Sequence, residues 1–204
     1  MNQQELTTTT NGEFSIVAFC DRHEACTAGF RWAMANCTTM QDVWQTVKPD
    51  WLVWVATRDG VLPAESLRRV IVWILEQIQE FLDEPALLQA LEICRNWSTT
   101  DEATRDRVRE AVGQIYVTRR QEAGAVTLSS MVARTAYWSL YKLVVSALLE
   151  SLNAANSVIS LSATTIQARA DASEEFMQRA ADWLRSNTQP CFVRTGAISE
   201  FWRE

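Results

Sequence analysis

One histidine, six glycines and four prolines are all that 204 residues hold of the types that most often build catalytic centres, tight turns and chain breaks. The scarcity of glycine and proline excludes a sandwich or barrel of many short strands, which needs frequent turns, and leaves long helices with few connections. A single histidine, His23, excludes any mechanism or metal site that requires two. There is no Gly-Lys-Ser/Thr and no glycine-rich loop opening a helix, so nucleotide binding by a phosphate loop is excluded. Bases are also short. Lys and Arg number 19 against 25 Asp and Glu, a net charge of -6 with a pI near 5.0. Phosphate binding needs a basic face, so nucleic acid is not expected as a direct ligand.

Met1 to Glu5 carry neither the basic nor the apolar part of a secretory signal. The most apolar run, Ala136 to Leu149, is short for a bilayer span and contains Lys142, so no membrane partner is expected. Five irregularly spaced cysteines, with no signal ahead of them, read as reduced thiols in a cytoplasm.

What is present is an ordinary globular balance, 48% hydrophobic and 22% charged, in a chain long enough to bury a core. Residues 2–12, with a run of four threonines, read as a disordered tail. Residues 13–204 read as a single helical domain with a subdivision near Gly60. From Glu13 to Cys20 a short extended segment and an early helix are equally compatible with the pattern.

Ala25 to Asn36 has Cys26, Phe30 and Ala33 at helical spacing. Thr38 with Gln41 forms a capping-box pattern for a short helix through Val47, and Asp50 can cap another from Trp51 to Arg58. After Pro63 the positions Leu67, Val70, Ile71, Ile74, Leu75, Ile78, Phe81 and Leu82 form an unbroken apolar stripe. Pro85 opens the next helix, which runs to about Trp97 and should fold back on its predecessor. Thr99 with Glu102 caps a mixed-charge helix to about Glu122 that buries Val108, Val112 and Ile115. Leu128 to Ser151 is apolar nearly all round and reads as one buried helix; Asn153 to Ser162 reads as loop or as its continuation. Thr164 to Ser186 is helical, with Ile166, Ala170, Ser173, Met177, Ala180 and Leu184 on one face. Phe192, Phe201 and Trp202 suit a tail that docks back. The fold class is all-α, an irregular bundle of about seven or eight helices.

Chemistry has few candidates. Cys20, His23 and Cys26 have C-x2-H-x2-C spacing, and Cys37 could complete a Cys3His zinc set. The competing reading makes His23 a surface residue and the cysteines small apolar packing residues. The acid pairs Asp83-Glu84, Asp101-Glu102 and Glu174-Glu175 suit helix N-terminal regions or outer faces. Arg68-Arg69 and Arg119-Arg120 read as helix-surface pairs. Nine tryptophans are a surplus, with Trp32, Trp44, Trp51 and Trp54 gathered in one stretch. Most suit a core. Trp97, Trp183 and Trp202, at helix ends or in the tail, suit a partner interface, as do the acids Glu174 and Glu175.

The pattern Ala25-Cys26-x2-Gly29-x2-Trp32, then Trp44, then Pro49-Asp50-Trp51-Leu52-x-Trp54 resembles small helical proteins of phages and prophages. It is also similar to the helical putative immunity proteins of bacterial toxin systems. The likeness covers about residues 25–54; the second half lacks the alanine-rich repeats found in that group. The resemblance implies a mobile-element origin and a protein-binding role, and attaches no catalytic residue to the motif. The expected function is therefore a non-enzymatic inhibitor of a host defence protein, acting by steric occlusion and needing no cofactor. An immunity protein that neutralises a toxin, a zinc protein using Cys20, His23, Cys26 and Cys37, and a homo-oligomeric structural protein are the alternatives.

Overall fold

The computed structural model describes residues 14–123 and 126–193. The proposed disordered tail at 2–12, Phe201 and Trp202 therefore lie outside the described residues. Ten α-helices are present among the described residues, with no strand. The all-α class holds, and the count of seven or eight is too low. The extra two come from an additional N-terminal helix and from a break in what reads as one helix. The chain divides into two compact units, formed among the described residues by 14–62 with 188–193 and by the chain from Pro63 to Asn187.

The first unit holds four short helices: α1 (Ile16–Arg22), α2 (Thr27–Asn36), α3 (Met40–Thr46) and α4 (Pro49–Ala56). Each start has a local cause. The Ser15 hydroxyl accepts from the Ala18 N–H at 3.2 Å, so the N-terminal segment is helical from Ile16 and not extended. The Cys26 thiol caps α2 by accepting from Gly29 N–H at 3.3 Å. The capping box of α3 is Thr39 with Asp42, one residue later than Thr38 with Gln41. Asp42 is the reason: its Oδ2 accepts from the N–H groups of Thr39 and Thr38 at 2.8 and 3.0 Å and from the Thr38 hydroxyl at 2.6 Å. Pro49 stands at the first turn of α4, so Asp50 lies inside that helix and does not cap it. Phe19, Trp44, Leu52, Val61 and Leu62 are buried in its core. The segment 188–193 joins it through Phe192, whose carbonyl accepts from Phe14 N–H at 2.7 Å, and through Cys191 N–H, which donates to Val61 O at 2.9 Å.

The second unit contains α5 (Ala64–Gln77), α6 (Pro85–Arg95), α7 (Glu102–Ala123), α8 (Leu128–Ser139), α9 (Val144–Ser162) and α10 (Ile166–Asn187). The α5 stripe is buried as expected, but the helix stops at Gln77. A 3-10 turn over Gln79–Phe81 carries the chain round while keeping Ile78 and Leu82 buried. α7 is capped by Asp101, whose Oδ1 accepts from Thr104 N–H at 2.8 Å; the Thr99 hydroxyl instead donates to Asn96 O. α9 runs through the segment left open between loop and helix. It packs against α5, α8 and α10, and by length and composition alone it could also cross a bilayer. α10 buries Phe176, Ala180, Ala181 and Leu184, whereas Ile166, expected on its apolar face, is 87% exposed.

The break between α8 and α9 has one principal cause, and it is distant in sequence. Arg68 is buried on α5, contrary to its reading as a surface residue. Its guanidinium donates to three carbonyls at the end of α8 and just beyond: Ser139 at 3.2 Å, Tyr141 at 2.6 Å and Lys142 at 2.8 Å. Helix-terminal carbonyls lack intrahelical donors and carry the negative end of the helix dipole, so a forked cation suits them. No carboxylate among the described residues pairs with Arg68, and burial pushes its pKa down to about 10. The Trp97 ring lies 3.5 Å from its guanidinium carbon and 4.7 Å from that of Arg105, so one indole serves two cations.

Candidate functional site

Between its four short helices the first unit keeps a half-open hollow of about 370 Å³. Its walls come from α1 to α4. Phe19 and Cys20 come from α1, Ala25 and Cys26 from the following connection, Gly29 and Trp32 from α2, and Met40 and Val43 from α3. Asp50, Trp51, Trp54 and Val55 come from α4. The spacing explains the convergence. Cys26, Gly29 and Ala33 recur at three and four residues along the start of α2, while Trp51, Trp54 and Val55 do the same on α4.

Trp32, Trp51 and Trp54 are each half-buried, whereas Trp44 is fully buried in the core nearby. Trp32 and Trp51 meet edge to face with centroids 6.0 Å apart, and Trp54 meets Phe19 the same way at 6.2 Å. Lys48 Nζ sits 4.5 Å from the Trp51 ring centroid and the Arg58 guanidinium carbon 4.8 Å from that of Trp54. Neither basic residue lines the hollow; its charged lining residues are Glu24 and Asp50. A second recess lies beside Phe14 and Met40 and is bordered by Gln189 to Val193.

The proposed metal set is not brought together. No three His, Cys, Asp or Glu side chains among the described residues are grouped to hold a metal ion. Cys26 is spent on its helix cap, and Cys37 Sγ lies 3.5 Å from the Thr46 hydroxyl. His23 is half-buried, tilted against the Phe19 ring at 4.6 Å and edge to face with Phe14 at 6.4 Å between centroids, and its Nε2 is buried without a hydrogen-bond partner. Burial, then the charges of Arg22 and Arg58, push its pKa down, against a smaller upward pull from Asp59. Burial, then the neighbouring Cys26, pushes the Cys20 thiol up, which keeps it protonated at neutral pH.

The residues expected at an interface are dispersed. Trp97 stands in the α6–α7 connection and is engaged by Arg68 and Arg105. Trp183 is half-buried, 6.2 Å from Trp73, which in turn stacks on Phe176 at 5.8 Å. Glu174 and Glu175 are exposed on α10. Asp83 and Glu84 both pair with Arg119, so neither these acids nor that arginine are free surface charges. The hollow itself is a site that sequence reasoning missed. Its signal was the Trp32–Trp54 cluster, most of which reads as core.

No protein-family model matches the chain, and neither curated proteins nor solved structures show a significant match.

Proposed function

We propose that this chain is a non-enzymatic protein-binding protein, and that the hollow of the first unit receives an apolar side chain of its partner. One observation carries this reading. The motif residues Ala25, Cys26, Gly29, Trp32, Asp50, Trp51 and Trp54 all line one open, largely apolar hollow. Of the motif's four indoles, Trp44 is buried in the core and the other three are not. These three remain partly exposed, an arrangement that costs free energy until something covers them. The volume lies within the range of ligand-sized pockets, and tryptophan is the side chain most often found to anchor a protein interface.

The magnitude is limited. One aromatic anchor burying about 200 Å² at roughly 25 cal/mol per Å² gains about 5 kcal/mol, most of which association entropy offsets. Useful affinity therefore requires further contacts around the hollow, which fits steric occlusion of a partner's working surface by a whole face of the unit. The likeness of residues 25–54 to phage and prophage proteins supports a host protein as that partner.

The test is affinity capture from a host lysate with three forms of the chain. The wild type and a Glu174→Ala/Trp183→Ala variant are expected to retain the same stoichiometric partner. A Trp32→Ala/Trp51→Ala variant, checked for an unchanged helical spectrum, is expected to lose it. Retention by the hollow variant with loss by the α10 variant overturns the reading.

A further inference from the structure

We infer that the partner segment seated in the hollow is basic: an apolar side chain flanked by lysine or arginine. This rests on the docking reading above and adds the chemistry of the occupant. The ionic character of the lining is one-sided, because Glu24 and Asp50 contribute carboxylates to it and no lysine or arginine does. Both acids are exposed at their positions, so each can meet a charge arriving from solvent. Trp51 and Trp54 each already hold a cation of the chain itself against the ring, Lys48 and Arg58. With those cations in place, an arriving ammonium or guanidinium is drawn by the Glu24 and Asp50 carboxylates. The net charge of -6 acts in the same direction at longer range.

Glu24 supplies the sharpest detail. It occupies the left-handed region, with φ of 54°, and is the one non-glycine residue with positive φ among the described residues. The conformation caps α1: Glu24 N–H donates to Asp21 O at 3.3 Å and Ala25 N–H to Cys20 O at 2.9 Å. Glycine suits that position without steric cost, and glutamate does not. The chain therefore bears strain while presenting a carboxylate at the edge of the hollow. The substitution Glu24→Gly separates the two roles, since it should stabilise the fold while weakening a basic ligand.

The experiment uses the full chain and two capped seven-residue peptides without tryptophan. Both share a Leu-Phe-Leu centre, one flanked by lysines and the other by glutamates. Binding is followed through the indole N–H resonances of Trp32, Trp51 and Trp54. The lysine peptide is expected to move these resonances with at least about fivefold tighter binding than the glutamate peptide in low salt. That preference should shrink toward parity in high salt and in a Glu24→Gln/Asp50→Asn variant. In Glu24→Gly the melting temperature should rise while the lysine peptide binds more weakly. Equal binding of both peptides overturns the inference about charge and leaves the docking reading standing. If neither peptide moves the three indoles, the hollow as a docking site fails, and the inference fails with it.

Discussion

Replacing Arg68 by methionine removes the side chain that holds the α8–α9 break. Three charge-assisted bonds to carbonyls are worth about 2 kcal/mol each, and the close stacking on Trp97 adds about 1–2 kcal/mol. Against this stands the cost of burying the charge. The pKa lies at about 10 instead of 12.5, which corresponds to roughly 3 kcal/mol against the charged form. The balance favours the native arginine by about 4–5 kcal/mol. Methionine fills similar volume, so the loss should come from the stranded carbonyls. Ser139 is the most affected, because it is fully buried and retains only the weak Cys94 thiol at 3.5 Å. Arg68→Lys keeps the charge but loses the fork, and is expected to give up about 2 kcal/mol. Urea unfolding followed by far-ultraviolet circular dichroism and by tryptophan emission checks both variants. Arg68→Met within about 0.5 kcal/mol of wild type refutes the reasoning, for it means that water satisfies those carbonyls equally well.

Three further outcomes are expected. Burial in the fold lowers the His23 pKa below the ordinary 6.5, so the unfolded chain binds the proton more readily. The fold should lose stability as the pH falls below about 6.5, and His23→Phe should remove that component of a pH series of melting temperatures. Asp42 has its pKa lowered to about 2 by hydrogen bonds from Thr38 and Thr39. Its contribution should be complete above the ordinary 3.8 and fade as the pH falls toward 2, and carboxyl chemical shifts in an acid titration will show a midpoint near 2 or refute this. Burial pushes the Cys94 thiol up to about 11, whereas Cys26 and Cys191 are exposed. Alkylation at neutral pH should modify Cys26 and Cys191 first and Cys94 only on unfolding; early modification of Cys94, seen by peptide mass mapping, contradicts its burial.

Local signals in the sequence were readable where the cause is local. The stripe from Leu67 to Leu82 and the proline start at Pro85 both depend on neighbours within one or two turns. The α3 cap was misplaced by one residue because Thr38 and Thr39 both precede the helix, and the acid that decides between them, Asp42, completes a box only with the second. The α8–α9 break was invisible. Leu140 to Leu143 contain no proline or glycine, and the guanidinium that takes their carbonyls comes from more than 70 residues earlier. The face of α10 shifted for a similar reason. Trp73 of α5 stacks on Phe176, and that contact selects the buried side where periodicity alone favoured Ile166. At the candidate site, the tryptophan cluster could be seen but not its exposure. Whether an indole fills a core or borders a hollow depends on how closely four short helices approach, and residue spacing within any one of them does not carry that distance.

The most direct measurement is site-specific photo-crosslinking in host cells, with the photoreactive residue placed at position 51 in one form of the chain and at position 174 in another. A single crosslinked protein from position 51, mapped to an apolar side chain in a lysine- or arginine-containing segment, is the expected result. A partner captured from position 174 but never from position 51 contradicts the assignment of the tryptophan-lined hollow as the docking site.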